Sequence, residues 1–463
     1  MTRATPLTAF RNAGPALDIG ANAAACRTNP ASEIPAILNL SIHNGLDAVE
    51  AEWRRFEQVA DCTPFQTFDW LATWQRHIGL RDGVRPVIAV GSFADRATAF
   101  MLPLAVEPQR AARRLCWLGQ DLSDYNAPLL ARDFSQRVTP DRFRAAWREL
   151  EGRMQCDPML RHDWIDLEKM PQTIGGQINP FTYLDVSANA SGAHLTQLGS
   201  DWEKFYFARR SSATRRHDRA KRRHLSEFGE IRFVNSANLD DARCMVETLM
   251  HQKSRSLARK GIANVLARRG CREFFLDLAS NLPPPYPPPQ AGEDSFIFPP
   301  PQAGEGSLIF PPPQAGEDSF IFPPPQAGEG RVGVHISRVE IGAVWAAVNF
   351  GIVFGDCYYH VLASHEDNEL SHYGPGALHL RELLAYAIGR GLRRFDFTIG
   401  DEPYKLEWSD THLKLCDYTK VVSWRGWSAC CRSMALRRLK RFIKQTPWAW
   451  RMVPFVRSVV GPL

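Results

Sequence analysis

The sequence predicts a mixed α/β (α+β) fold made of two successive halves, each a mostly antiparallel sheet flanked by helices. Short apolar strand patterns alternate with amphipathic helical patterns over residues 36–175. A second run of such patterns occupies residues 180–422, and the Gly- and Gln-containing stretch 171–179 separates the two. With 463 residues and 44% apolar content, the chain is long enough to bury a core in both halves.

The first half contains the signals of an α/β unit. Trp70, Leu71 and Trp74 recur at helical spacing, and Asp69 stands near the start of the same helix. Two strand patterns joined around residues 94–95 predict a hairpin. The predicted helices cover 46–59, 68–77 and 141–151, and the predicted strands cover 84–90, 98–106, 115–118 and 164–167.

The second half combines helices with three consecutive strands that predict a β-meander. The second half begins near residues 181–184. The predicted helices cover 202–228, 240–253 and 269–281, and the predicted strands cover 231–234, 332–337, 343–354 and 356–363. A turn, a helix and a short strand follow over residues 371–397, and a loop leads to Trp408. Meander, turn, helix and strand together indicate a second mixed sheet.

Residues 283–330 interrupt this pattern with a proline-rich repeat. The heptapeptide Pro-Pro-Pro-Gln-Ala-Gly-Glu begins at Pro287, Pro299, Pro311 and Pro323, a period of 12 residues. Triple prolines favour extended polyproline II and supply no backbone donors for a sheet. We expect a disordered insertion, either a ligand for a partner protein or a tandem repeat translated in frame. Residues 1–35 are small and polar, which predicts a disordered leader without the apolar core of a signal peptide.

Charge is concentrated in two segments. The net charge is +6, but residues 209–223 hold eight Lys/Arg and one Asp, and residues 418–463 hold ten Lys/Arg and no acid. Residues 423–463 predict a basic amphipathic tail, either at a membrane surface or packed on the domain with its charges solvated. No apolar run approaches 18 residues. The ten cysteines are scattered without C-x-x-C, which indicates reduced thiols and a cytoplasmic protein, with peripheral contact at the inner membrane as a further expectation.

The most specific motif lies at residues 374–405. A Gly374-Pro375-Gly376-Ala377 turn opens a leucine-rich helix, and a strand with Phe395 and Phe397 on one face follows. A glycine-lined turn at a helix N-terminus exposes backbone N–H groups and can hold a phosphate, although an ordinary tight turn has the same residues.

The longer pattern resembles the acyl-CoA acetyltransferases of the GNAT superfamily, in the BioF-like branch that includes the CelD-type proteins of cellulose biosynthesis. The similar features are the small-Pro-Gly turn, Glu382 in the helix, Phe-Asp-Phe, Gly-Asp-Glu-Pro-Tyr-Lys at 400–405 and Trp408. In the first half, Pro-Phe-Gln-Thr-Phe-Asp-Trp at 64–70, Leu-Gly at 118–119 and Leu-Ser-Asp-Tyr at 122–125 resemble the same family. The resemblance covers about residues 38–422 and implies two tandem GNAT-like halves.

The resemblance implies an N-acetyltransferase that uses acetyl-CoA or another acyl-CoA as co-substrate. The acceptor would be a small-molecule amine, on a sugar, a glycan precursor or a related compound, in exopolysaccharide or cellulose biosynthesis. The N–H groups expected to cradle the pyrophosphate are those of Gly374, Gly376, Ala377 and Leu378. Tyr404 is the expected acid for the thiolate.

The base and the acceptor contacts are less sharply indicated. Asp401, Glu402 and Glu382 are the candidate bases, and Glu382 has the alternative of pairing with Arg381 or Arg393. Asp396 is interpreted as an ion-pair partner or turn cap. Asp124, Tyr125 and Lys405 are expected to line the acceptor site, although Asp124-Tyr125 can equally be a structural turn and Lys405 can be solvated.

Other chemistries have little support. The chain contains no H-E-x-x-H, G-x-S-x-G or G-x-x-x-x-G-K-[ST] motif, so no metal site is predicted. An alternative function is a non-catalytic membrane- or nucleic-acid-binding protein that uses segments 209–223 and 424–457. Nucleic acid is the weaker of these partners, because segment 209–223 has no aromatic side chains for base stacking.

Overall fold

The computed structural model describes residues 38–109, 112–261, 264–282 and 332–445, with side chains to residue 435 in the last helix. The predicted leader at 1–35, the repeat at 283–330 and the tail beyond residue 445 lie outside the described residues. The predicted boundaries of all these segments remain predictions.

The helices and strands follow the sequence patterns closely. The helices are α1 (Glu50–Glu57), α2 (Phe68–Trp74), α3 (Phe134–Arg137), α4 (Pro140–Cys156), α5 (Trp202–Arg209), α6 (Ser212–Ser226), α7 (Leu239–Arg259), α8 (Cys271–Asn281), α9 (Pro375–Gly389), α10 (Pro403–Trp408) and α11 (Trp424–Gln445). The strands are β1 (Asn39–His43), β2 (Arg85–Ser92), β3 (Thr98–Gln109), β4 (Ala112–Trp117), β5 (Leu129–Leu130), β6 (Trp164–Pro171), β7 (Thr173–Ile174), β8 (Gln177–Ile178), β9 (Val186–Ala188), β10 (Ala193–Gln197), β11 (Ile231–Asn235), β12 (Val332–Ile341), β13 (Val344–Phe354), β14 (Cys357–His365), β15 (Arg394–Ile399), β16 (Thr411–Leu413) and β17 (Leu415–Val421). None of the described helices is both long and apolar enough to cross a bilayer.

One expectation for local structure is corrected. The single helix predicted over 202–228 is two helices, because Arg210 is extended and Ser211 caps α6 by accepting a hydrogen bond from Thr214 N at 3.2 Å. The second half begins with a short 3₁₀ turn, Pro180–Tyr183. Pro180 begins this turn, and the Asn179 side chain accepts a hydrogen bond from Phe181 N at 3.1 Å.

The first sheet has the order β1-β2-β3-β4-β6-β17-β9, and β5 pairs with β3 on the same side as β4. Its pairs are antiparallel except β4 with β6. The predicted hairpin of β2 and β3 is present. Strand β17 comes from the end of the chain's second half but lies between β6 and β9 of this sheet. The two halves are therefore joined by shared strand pairing as well as by packing.

The second sheet has the order β11-β12-β13-β14-β15-β10-β16. Strands β12, β13 and β14 form the predicted antiparallel meander, and β14 pairs with β15 in parallel. Helix α9 connects these two parallel strands. The predicted fold class, two halves with mixed and mostly antiparallel sheets flanked by helices, is confirmed.

The core is continuous between the halves. Trp70 and Trp74 of α2 are fully buried, and Trp70 meets Phe274 of α8 edge-on with ring centroids 5.0 Å apart. Leu282 and Val332, which flank the segment that is not described, are both buried in the same cluster. Burying large aromatic side chains stabilises a fold by about 1.5–3 kcal/mol each, so this contact is a strong link between the halves.

Candidate functional site

The neighbouring parallel strands β14 and β15 separate towards their carboxyl ends, at one edge of the second sheet. Strands β14 and β15 pair only through the register Cys357↔Arg394 to Tyr359↔Asp396. Strand β14 nevertheless continues to His365 and β15 to Ile399. Beyond the paired segment, Thr398 Oγ1 still donates to His360 O at 3.4 Å. A gap between the carboxyl ends of two adjacent parallel strands is a common place for a ligand to enter an α/β structure.

The N-terminus of α9 lies at this same edge, because the helix follows β14 and leads back to the start of β15. Gly374 caps it in the left-handed conformation with φ +69°, which favours glycine. Gly374 N donates to Ser371 O at 3.1 Å, and Ala377 N and Leu378 N donate to Gly374 O at 3.0 and 3.1 Å. Three of the four N–H groups predicted to cradle the pyrophosphate therefore already have backbone acceptors. Among the described residues, the Gly376 N–H has no such backbone acceptor.

Basic side chains surround the start of α9. Lys221 Nζ of α6 lies 3.8 Å from where a Cβ on Gly374 would stand, and His365 Nδ1 lies 3.4 Å from the same position on Gly376. Lys253 of α7 donates to Ala363 O of β14 at 3.0 Å. Burial, followed by the charges of nearby lysines, lowers the pKa of His365, so this ring is neutral at pH 7. The two lysines supply the positive charge that an anion at this helix N-terminus needs.

Tyr404 stands at the same edge, in the short helix α10 that directly follows β15. The phenol is half-buried. Burial, followed by the negative charges of Glu402 and Asp124, raises the pKa of Tyr404 well above its ordinary value. Tyr404 therefore keeps its proton throughout the neutral range, as a proton donor requires.

Asp124 reaches this edge from the first half of the chain. Its loop is fixed by Trp70 Nε1, which donates to Ser123 Oγ at 3.2 Å, and by Lys169 Nζ, which donates to Ser123 O at 3.1 Å. Burial raises the pKa of the Asp124 carboxyl, although Lys169 and a hydrogen bond from Thr398 oppose the rise. The structure thus brings together two residues predicted for different roles, Asp124 and Tyr404.

Tyr125, the residue after Asp124, links the two halves through a hydrogen bond. Its hydroxyl donates to Asp396 Oδ1 at 2.7 Å, and Thr398 N donates to the same oxygen at 2.7 Å. Thr398 has φ +60°, a strained conformation for a β-branched residue and one often found near functional sites. Gln66 Nε2 donates to Tyr125 O at 2.7 Å, so the predicted motif at 64–70 supports Tyr125 from below.

Burial raises the pKa of Asp396 to about 7, despite the hydrogen bonds from Tyr125 and Thr398. The unfolded carboxyl loses its proton near pH 4. Between pH 4 and 7 the folded state holds more protons, so the free energy of unfolding falls as pH rises through this window and levels off above it. Asp396→Asn should flatten that fall in urea unfolding experiments at pH 5, 6, 7 and 8. Identical pH dependence in variant and wild type would contradict this assignment.

The remaining predicted residues have structural partners. Glu382 accepts a hydrogen bond from Arg222 of α6 at 2.6 Å, so its expected ion pair forms with a partner other than Arg381 or Arg393. Lys405 is only 4% exposed and donates to Ile399 O at 2.7 Å, so its ammonium is not solvated. Its predicted contact with the acceptor stays a prediction.

Asp401 and Glu402 differ in surroundings. Asp401 is exposed and accepts a hydrogen bond from Gly192 N at 3.3 Å. Burial pushes the pKa of Glu402 up, but the Lys405 ammonium, 3.2 Å away, brings it below its ordinary value. Glu402 is therefore ionised at neutral pH and a weak base compared with Asp124.

Several residues at this edge carry no clear signal in the sequence. Lys253 is one lysine in a long amphipathic helix, and His365 stands in an acidic turn. Lys221 belongs to the basic segment 209–223, so the only usable clue is that segment's charge. Asp396 was visible within the Phe-Asp-Phe pattern, but its contact with Tyr125 depends on a residue far away in sequence.

Comparison with known protein families gives one match, over part of the chain. Residues 326–406 match the family described as the acetyltransferase (GNAT) domain. Over these residues the chain is similar to a GNAT acetyltransferase domain. On this match it is an acyltransferase, and the matched segment includes β14, α9, β15 and Tyr404. The BioF-like, CelD-type branch remains a prediction.

Solved structures give weaker likenesses. FemX is 10% identical with a TM-score of 0.47, covering 83% of this chain and 97% of its own. The C-terminal domain of a putative lysylphosphatidylglycerol synthetase from Agrobacterium fabrum is 7% identical with a TM-score of 0.44, covering 85% and 97%. A tandem GNAT protein from the clavulanic acid pathway is 8% identical with a TM-score of 0.41, covering 83% and 98%. These scores are too low to support an inference about activity. No curated protein sequence matches the chain.

Proposed function

We propose that this GNAT enzyme transfers an acyl group from acyl-CoA to the amine of a sugar, a glycan precursor or a related small molecule. The observation that carries the proposal is the convergence of three features at one edge of the second sheet. These are the gap between β14 and β15, the N-terminus of α9 with the Gly376 N–H, and the pair formed by Asp124 and Tyr404.

The start of α9 suits the pyrophosphate of CoA. The Gly376 N–H and the helix dipole favour an anion, and Lys221 supplies a full positive charge beside Gly374. Because Gly376 lacks a side chain, a phosphate can approach the backbone closely. Lys253, which is tied to the carbonyl of Ala363, adds positive charge along the gap.

The chemistry needs a base for the amine and an acid for the thiolate. Asp124 takes a proton from the attacking amine, and its raised pKa makes it a stronger base than an ordinary carboxylate. The nitrogen forms a bond to the thioester carbon, and the carbon–sulfur bond breaks. Tyr404 then gives its proton to the departing sulfur and is reprotonated from solvent.

Gly376→Val should weaken acetyl-CoA binding at least tenfold. A Cβ at this position stands 3.4 Å from His365 Nδ1, and the further valine methyl groups would fill the space in front of the Gly376 N–H. Isothermal titration calorimetry measures the effect. Gly389→Val, in the last turn of the same helix, is the control, since a Cβ there meets no atom within 4 Å. Equal affinity in the two variants would remove the CoA site from this turn.

The activity itself is tested by thiol release from acetyl-CoA in the presence of a panel of amino sugars. Acetyl-CoA should raise the melting temperature, because a ligand that binds only the folded state stabilises it. If single-stranded DNA or RNA raised the melting temperature and acetyl-CoA did not, the alternative of a nucleic-acid-binding protein would replace the enzyme proposal.

A peripheral membrane contact is a second proposal, carried by α11. Cys430 is buried, and a Cβ at Gly426 would overlap Asp163 O, so one face of the first turns packs on the first sheet. Trp424 and Trp427 are 80% and 62% exposed, and Arg425 is exposed beside them. Exposed tryptophan next to arginine is the composition of an interfacial helix.

The double variant Trp424→Ser/Trp427→Ser should reduce flotation of the full-length protein with vesicles that contain anionic lipid. The change leaves Gly426 and Cys430 in place, so the packing of α11 on the first sheet is retained. A truncation after Ser423 should have the same effect or a larger one. If wild type, double variant and truncation float to the same extent, the tail does not bind membranes. In that case α11 only packs on the first sheet.

A further inference from the structure

We propose that His194, Asp401 and His412 form a binding site for a divalent transition-metal ion, with Zn²⁺ as the best fit. The three side chains offer two imidazole nitrogens and one carboxylate oxygen, and these atoms all lie within 4.8 Å of one another. Two histidines and a carboxylate are a common ligand set for Zn²⁺ and similar ions. This inference does not depend on the acyl-transfer proposal.

The backbone holds the three residues together. His194 of β10 and His412 of β16 are directly opposite each other in an antiparallel pair, which places their side chains on the same face. Asp401 follows β15, the strand on the other side of β10. Gly192 N donates to Asp401 Oδ1 at 3.3 Å, and Gly400 N donates to Gly192 O at 3.0 Å, so the turn carrying Asp401 is tied to the start of β10.

The state of His194 points to a ligand. Its side chain is buried at 1% exposure, and within the described part of the chain its Nε2 has no hydrogen-bond partner. That nitrogen faces the carboxylate, with Asp401 Oδ1 3.9 Å away. Its Nδ1 lies 3.4 Å from Ser409 Oγ. An imidazole oriented through one nitrogen, with the other buried and unbonded, is the usual arrangement of a metal ligand.

The distances between the three ligand atoms are close to those in a site with a bound metal ion. Bonds of about 2.0–2.1 Å in a tetrahedral site place ligand atoms about 3.3 Å apart, so the exposed Asp401 and His412 side chains need to move by about 1 Å. Gly192 allows His412 into position, because a Cβ at Gly192 would overlap the His412 ring. The exposure of Asp401 and His412 leaves room for water to complete the coordination.

The local charges permit a cation. Lys405 is near His194, but its ammonium is bonded to Ile399 O and paired with Glu402, so these two charges offset each other. Asp401 adds a negative charge. The ion would fix the turn that leads from β15 into α10.

The test uses the full-length protein, freed of metal with a chelator and titrated with Zn²⁺ in a calorimeter at pH 7.5. Co²⁺ then serves as a spectroscopic probe, because nitrogen and oxygen ligation gives visible absorption bands. We expect one ion per chain. His412→Ala, which removes an exposed ligand, should weaken Zn²⁺ binding at least tenfold and abolish the Co²⁺ bands.

Gly192→Ala serves as the second variant, since it keeps all three ligands and displaces only the His412 ring. It should also weaken Zn²⁺ binding. His251→Ala, which removes an exposed histidine of α7, is the control and should bind as wild type does. Melting curves without metal show whether each variant folds. The proposal is overturned if wild type does not bind Zn²⁺, or if His412→Ala binds it as tightly as His251→Ala.

Discussion

Asp124→Asn is expected to lower kcat for acyl transfer by about 10²–10⁴-fold, the usual contribution of a positioned general base. The asparagine keeps the size of the side chain and can still accept a hydrogen bond from Thr398, but it cannot take a proton from the amine. The affinity for acetyl-CoA should be nearly unchanged, because the proposed pyrophosphate contacts lie at the start of α9. Steady-state kinetics and calorimetry on the same preparation separate the two effects.

Asp121→Asn is the control for this prediction. Asp121 lies in the same loop, its side chain is exposed, and Lys169 contacts it only through its backbone carbonyl. Its substitution should leave kcat within about twofold of wild type, as expected for an exposed side chain with no role in the reaction. If both variants keep wild-type kcat, Asp124 is not the base and the proton must leave by another route, for which Glu402 is the nearest ionised carboxylate.

Regular elements could be predicted from the sequence because their apolar spacing reports directly on which face is buried. The α9 helix is an example, since its leucines recur at helical spacing and Leu383 and Leu384 are fully buried. The break between α5 and α6 could not be predicted because no glycine or proline lies between Trp202 and Ser226. Only the capping serine at Ser211 marked the boundary, and a serine alone is a weak signal.

Pairing between distant segments could not be predicted in the same way. Strand β17 lies in the first sheet although it follows the last strand of the second sheet in sequence. Its short sequence, Leu-Cys-Asp-Tyr-Thr-Lys-Val, contains no local signal that specifies which sheet it joins. The same limit applies to His194 and His412, which have no recognisable metal-ligand spacing and become neighbours only through the β10–β16 pair.

The limit of prediction from sequence is clearest for the charged residues of the site. Glu382 and Asp124 are both acids in patterns that resemble the family. The resemblance made Glu382 a candidate base, together with Asp401 and Glu402, and Asp124 an acceptor-site residue. The structure pairs Glu382 with Arg222 and leaves Asp124 half-buried with a raised pKa. Arg222 pairs with Glu382 because α6 packs against α9. This contact depends on the tertiary structure, so the local sequence does not reveal it.

The site also depends on both halves at once. Asp124 and Tyr125 come from the first half, and Asp396, Thr398 and Tyr404 come from the second. The hydrogen bond from Tyr125 to Asp396 is buried, so breaking it should cost about 1–3 kcal/mol. Because the bond spans the two halves, a change in their packing would alter the environment of Asp124, which is next to Tyr125 in the chain.

Tyr404→Phe is expected to lower kcat by roughly 10²-fold, the lower end of the range for general acids, because a thiolate is a fairly good leaving group. Removing the hydroxyl keeps the ring in the apolar cluster with Trp408, so folding should be preserved. Affinity for acetyl-CoA should be unchanged, since an acid acts mainly in the transition state. Tyr404→Phe should therefore lower kcat without changing affinity, whereas Gly376→Val should weaken acetyl-CoA binding. The two variants together separate the chemical step from binding. Tyr183→Phe, which changes a partly exposed tyrosine in the 3₁₀ turn Pro180–Tyr183, should behave as wild type. If Tyr404→Phe retains full kcat, the thiolate is protonated by another group or directly by water.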